Sequence, residues 1–95
     1  MKIKLDDFYV RALINVLMNQ RGQYDDETNI SLDDILLYLV DVLESIKPNR
    51  KKKIPFQSVD TKVIRQCLIQ QRNIEIEANK QGAVDVLNEL LILFI

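Results

Sequence analysis

Apolar residues recur along most of this chain at intervals of three and four, the period that stacks side chains on one face of a helix. The first such segment runs from Asp7 to Gln20, where Phe8, Ala12, Leu13, Val16 and Leu17 share a face. Asp6 offers an N-cap before it, and Gly22 a stop after it. Arg21 to Asn29 is polar, with Asp25, Asp26 and Glu27 in succession, and reads as a loop.

A second helix is signalled by Ser31 followed three residues later by Asp34, a shortened capping box, with Ile30 and Ile35 placed for a hydrophobic staple. It runs through Leu32, Leu36, Leu37, Leu39, Val40, Val42, Leu43 and Ile46, and Lys47-Pro48 ends it because the residue before a proline avoids the helical region. Apolar groups cover most of its circumference, which predicts a central place in a bundle. Lys47 to Val59 holds both prolines and reads as a basic connecting loop.

A third helix begins near Asp60, with Val63, Ile64, Cys67, Leu68, Gln71, Ile74 and Ala78 in phase. A fourth follows Gly82, with Ala83, Leu87, Leu90, Leu91 and Phe94 as its inner face. The pattern predicts an all-α domain, a small bundle of about four helices over approximately 7–20, 32–46, 60–80 and 83–94, the third and fourth open to being continuous. Lys2-Ile3-Lys4-Leu5 and Ile74-Glu75-Ile76-Glu77 alternate with period two and would suit paired short strands. The helical period runs straight through the second, so the strand reading is ranked below the helical one.

Composition narrows this picture without changing it. Ninety-five residues, 47% of them hydrophobic, suit one domain spanning 1–95, and two glycines with two prolines leave little room for disorder. No stretch approaches the roughly 20 apolar residues that span a bilayer, and the first residues lack a signal-peptide core, so a cytoplasmic protein without membrane association is expected.

Charge adds more than composition does. Formal charge is −1 overall, but residues 1–21 carry +2, residues 22–46 carry −7 with no base, residues 47–73 carry +7 and residues 74–95 carry −3. Arg50, Lys51, Lys52 and Lys53, with Lys62 and Arg65 on the following helix, are candidate nucleic-acid contacts, since lysine and arginine meet phosphates and arginine also reads bases. Positive charge after a helix C-terminus is also favoured by the macrodipole, which offers a purely structural account. A connector of about a dozen residues argues against a helix-turn-helix, whose turn takes about 3–4. Asp25, Asp26, Glu27, Asp34 and Asp41 form a candidate acidic contact surface, facing a basic partner or the basic segment of the same or a second copy.

Enzymatic chemistry finds no foothold in these residue types. The chain has no histidine, which removes the commonest general base and rules out serine–histidine and cysteine–histidine pairs. One cysteine, Cys67, on an apolar face reads as a core residue, and two separated glycines build no phosphate loop. An EF-hand counted from Asp25 fails, with Ile30 at the glycine position and Leu36 at the bidentate glutamate. No cofactor or metal is expected.

The C-terminal run from Leu90 to Ile95 is apolar on every side. A terminal helix should keep one face wet, so Leu87, Leu90, Leu91, Phe94 and Ile95 are candidates for partner binding or self-association as a homodimer, the equal alternative being that this run is the central element of the core. The sequence thus points to a small non-enzymatic regulatory or protein–protein interaction module, with a protein partner or a second copy of itself. Its short, charge-sorted, Ile-, Lys- and Asn-rich chain would suit a bacterium or its phages. The alternative is a nucleic-acid-binding regulator using the basic segment 47–73.

Overall fold

The computed structural model describes residues Met1–Ile95. The elements in order are β1 (Lys2–Leu5), α1 (Asp7–Gln20), α2 (Asp26–Ser45), β2 (Lys52–Pro55), α3 (Ser58–Glu77) and α4 (Gln81–Phe94). The fold is the small helical bundle that the periodicity predicts, with one addition, a two-stranded sheet.

Helix α1 starts where the sequence indicates, with the Asp6 carboxylate accepting from Tyr9 N at 2.9 Å. Gly22 closes it at φ +86°, a left-handed backbone that glycine adopts without strain. Helix α2 starts earlier than the predicted residue 32. Asp25 is its N-cap, accepting from Thr28 N at 2.8 Å, and Asp26 and Glu27 lie in the first turn, where carboxylates favour the helix dipole. That extra turn and a half is polar because it projects beyond the core, so apolar periodicity does not mark it. Ser31 lies inside the helix rather than at its start.

Helices α3 and α4 are separate. Lys80 N donates to Glu75 O at 3.0 Å and Asn79 N to Ile76 O at 3.1 Å, with Asn79 at φ +57°, the hydrogen-bond pattern of a Schellman stop. The break therefore falls at Asn79, and Gly82 sits in the first turn of α4.

The sheet corrects two sequence expectations. Lys2–Leu5 does form a strand, but its antiparallel partner is Lys52–Pro55, inside the segment read as a loop. Ile74–Glu77 remains helical. The prolines do not prevent pairing: Pro48 lies outside the strand, and Pro55 ends it at a sheet edge. Ile3 pairs with Ile54, and both are buried, while Lys4 pairs with Lys53, and both are exposed.

One cluster of buried residues draws on every element. Leu5, Leu13, Leu17, Leu39, Ile64, Leu68, Leu90 and Phe94 are all fully buried, each worth about 1.5–3 kcal/mol of removal from water. Phe56, just past β2, stacks edge-on against Phe94 at 5.3 Å and Tyr38 at 6.0 Å, which ties the sheet to α4 and α2. Between α1 and α3, Gln20 Nε2 donates to Gln71 Oε1 at 3.0 Å in the interior, and Gln71 Nε2 donates to Glu75 at 2.8 Å. No helix is long and apolar enough to cross a membrane.

Candidate functional surfaces

Helices α1 and α2 form an antiparallel hairpin whose inner side enters the core and whose outer side does not. Along the outer side runs a groove of about 410 Å³, walled by Ile14 and Met18 from α1 and by Leu36, Leu37 and Val40 from α2. Leu37 is 68% exposed and Met18 60%, large values for side chains of their size. Arg21 and Asp33 line the same groove and pair at 2.6 Å, so its polar contributors are already neutralised.

The exposed surface of α2 is one-sided in charge, although Asp33 is the only acid in the groove's own lining and Asp41 lies toward Lys52 and Lys53 of β2. Asp26, Glu27, Asp34, Asp41 and Glu44 on α2 are exposed and form no ion pair, and α2 carries no basic residue. No acid of α2 pairs with the basic segment within one molecule: the two ion pairs of the chain are Arg21–Asp33 and Arg11–Asp7, and Asp41 shares a cleft with Lys52 and Lys53 without pairing to either. Asp25 differs from its neighbours in having a structural task. Hydrogen bonds from the Thr28 side chain, and then from its backbone, hold its carboxyl below the usual carboxylate range. Asp60, at the start of α3, is shifted the other way, by partial burial first and by the nearby Asp34 second.

The predicted basic contacts divide into two groups. Arg50 and Lys51 precede β2 and Lys52 and Lys53 lie in it, where Lys53 shares the sheet's outer face with Lys2 and Lys4 while Lys52, opposite Leu5, turns to Ser45 of α2. Lys62 and Arg65 lie on α3 and line neither of the clefts that hold Lys51–Lys53. Arg65 is half-buried on α3 and donates to Phe94 O at 3.0 Å, closing the end of α4. Sequence reading missed Lys2 and Lys4, although their alternation with Ile3 and Leu5 was the signal for a strand with a basic outer face.

Four of the five predicted self-association residues are core. Leu87, Leu90, Leu91 and Phe94 are buried on the inner face that their spacing marks, which corrects their reading as partner or self-association contacts, and only Ile95 is exposed. The reason is that both β1 and α3 cover α4, so its inner face is wider than an edge helix would need. Ile92, one turn before Ile95, is the other strongly exposed apolar residue there.

Reactive groups are few. Cys67 is buried, and burial pushes its thiol up, away from the thiolate. The Tyr24 phenol is also raised, by burial first and the neighbouring Cys67 second. Tyr9 donates to the Glu89 carboxylate across α1 and α4, and that bond, more than burial, raises its phenol. These groups are scattered and face no common cavity. Compared with family models, curated proteins and solved structures, the chain matches none.

Proposed function

We propose that this protein is a non-enzymatic interaction module whose α1–α2 groove receives an amphipathic helix with basic flanks from a partner protein. The observation that supports the reading is the groove itself: five apolar side chains line it, Leu37 and Met18 stand open to water, and α2, which forms one wall, carries exposed acids that form no ion pair and no base. Helix-in-groove recognition needs those two components, an apolar trough for anchors at helical spacing and a charge pattern that sets orientation and excludes wrong partners.

A second copy is a poorer occupant of this groove. One two-fold arrangement stacks α2 on α2 and brings two sets of unpaired acids together, and the other sets α2 on α1, where Arg11 and Arg21 already pair with Asp7 and Asp33. A helix carrying lysine or arginine beside its apolar stripe meets no such repulsion.

The reading is tested with two synthetic helical peptides sharing one leucine stripe, one flanked by lysine and one by glutamate. The lysine peptide is expected to shift the methyl resonances of Ile14, Met18, Leu36, Leu37 and Val40, and the glutamate peptide to leave them in place. Equal response to both peptides, or no response at those methyls, would refute it. So would a concentration-dependent dimer that Leu37→Asp dissolves, since that outcome assigns the groove to self-association.

A further inference from the structure

The sheet gathers two lysine-rich stretches that lie far apart in the chain. On its outer face stand Lys2 and Lys4 from β1 and Lys53 from β2, with Lys4 directly opposite Lys53. Like charges in that position oppose strand pairing. None of these lysines forms an ion pair.

Immediately before β2 the chain makes a tight turn, Arg50 N donating to Lys47 O at 3.2 Å, with Pro48 and a positive-φ Asn49 at the central positions that a type II turn requires. This turn and the end of α2 enclose a cleft of about 230 Å³ lined by Ser45, Ile46, Lys47, Arg50, Lys51 and Lys52. Four of its six lining residues are cations, and one wall carries the Ser45 hydroxyl, to which Lys52 Nζ donates at 2.9 Å.

The macrodipole of α2 accounts for cationic charge within about one turn of its C-terminus, not for the lysines of β1. The acids nearby are committed or apart. Asp7 meets Arg11 and Asn49 N, and Asp41 shares a cleft with Lys52 and Lys53 without pairing to either. We infer that the outer face of the β1–β2 sheet, with the Lys47–Lys52 cleft beside it, binds the phosphate backbone of a nucleic acid.

Lysine predominates here, and lysine meets phosphate as a point charge, so binding is backbone-directed and indifferent to base sequence. Pro55, opposite Lys2, is the one apolar residue on the sheet's outer face, which lacks the large aromatic or aliphatic anchor that insertion into a bilayer surface or a protein hot spot would need.

The test is fluorescence anisotropy of the full chain with a labelled random-sequence duplex DNA and a labelled single-stranded RNA, across about 50 to 200 mM salt. Binding is expected at the low end, weakening with a log–log salt slope of about −3 to −4 for four phosphates, and unrelated sequences should agree within about twofold. The triple variant Lys4→Gln, Lys51→Gln, Lys53→Gln should lose at least about tenfold in affinity and flatten the slope by about 2 on the single strand and about 3 on the duplex. Its fold is checked by circular dichroism, and removing an opposed pair does not hinder folding. Lys62→Gln and Leu37→Asp, away from this face, should bind as the parent does. The inference is overturned if neither nucleic acid binds at low salt, if the triple variant binds unchanged, or if anionic phosphatidylserine vesicles bind the chain while both nucleic acids do not. The Leu37→Asp variant keeps this result separate from the groove, since it removes peptide docking and spares the sheet.

Discussion

Lys4 and Lys53 face each other across the two strands, exposed and without a carboxylate between them. Cross-strand pairs are the unit of sheet stability, and this pair works against its own ladder. Changing Lys53→Glu converts repulsion to attraction and should stabilise the fold by about 0.5–1 kcal/mol in urea unfolding. Because the pair is exposed, the gain should shrink as salt is raised. A variant less stable than the parent at low salt would mean that the pair is not opposed as described.

The interior has its own polar pair. Gln20 and Gln71 bridge α1 and α3 away from water, so replacing one strands the other. Gln71→Leu leaves Gln20 Nε2 buried without an acceptor and should cost about 1–3 kcal/mol. The double variant with Gln20→Leu should lose less than the sum of the two single changes, because Gln20 Nε2 is then absent rather than stranded, while the loss of the Tyr24 hydroxyl's acceptor is already counted in the Gln20→Leu single change. Additive losses in chemical denaturation would show that the pair contributes nothing as a pair.

Helix positions were legible in the sequence because apolar spacing survives in the elements that build the core. Helix α1 was readable to its ends, with Asp6 and Gly22 as punctuation. The first turns of α2 were not, since Asp26 to Asn29 bury nothing large and leave only the Asp25 cap as a sign. Strand β2 was hidden for a related reason: its inward residue is Ile54 alone, with Phe56 just beyond, too short an alternation to outweigh two prolines. The C-terminal run misled because composition cannot divide Leu90, Leu91 and Phe94, which are buried, from Ile92 and Ile95, which are not. The groove was unreadable in principle from one helix at a time: Met18 and Leu37 share it only because α1 and α2 pack antiparallel. The charge sorting was legible, and its two poles became surfaces.

Asp25 gives the stability a defined pH dependence. Its folded carboxyl titrates below the usual value because the charged form accepts from Thr28. A depressed acid contributes stability that is fully present above the unfolded pKa, about 3.9, and is lost as pH falls through the lower folded value. Asp25→Asn keeps an acceptor for Thr28 N and removes only the charge. The parent should therefore exceed Asp25→Asn in urea midpoint by a constant amount above about pH 5, and the difference should close in strong acid. A difference that persists undiminished at the acid end would place the effect of Asn elsewhere than in the lost charge.

Leu37 and Leu39 are two positions apart on α2 and separate folding from recognition. Leu39 is fully buried in the core, so Leu39→Ala removes transfer energy and leaves a cavity, costing about 2–5 kcal/mol. Leu37 is mostly exposed in the groove, where Leu37→Asp removes little that the free monomer had buried and should change stability by no more than about 0.5 kcal/mol. Docking inverts the order. An aspartate in the trough adds a charge that a partner's apolar anchor would have to desolvate, so the basic-flanked peptide should lose at least about tenfold in affinity. Leu39→Ala, in the temperature range where it remains folded, should still bind within a few-fold. The pair thus distinguishes a groove kept open for a ligand from an apolar face merely left over at the edge of a small core: in the second case Leu37→Asp would leave peptide affinity unchanged. Thermal denaturation and peptide titration on the same two variants decide between them.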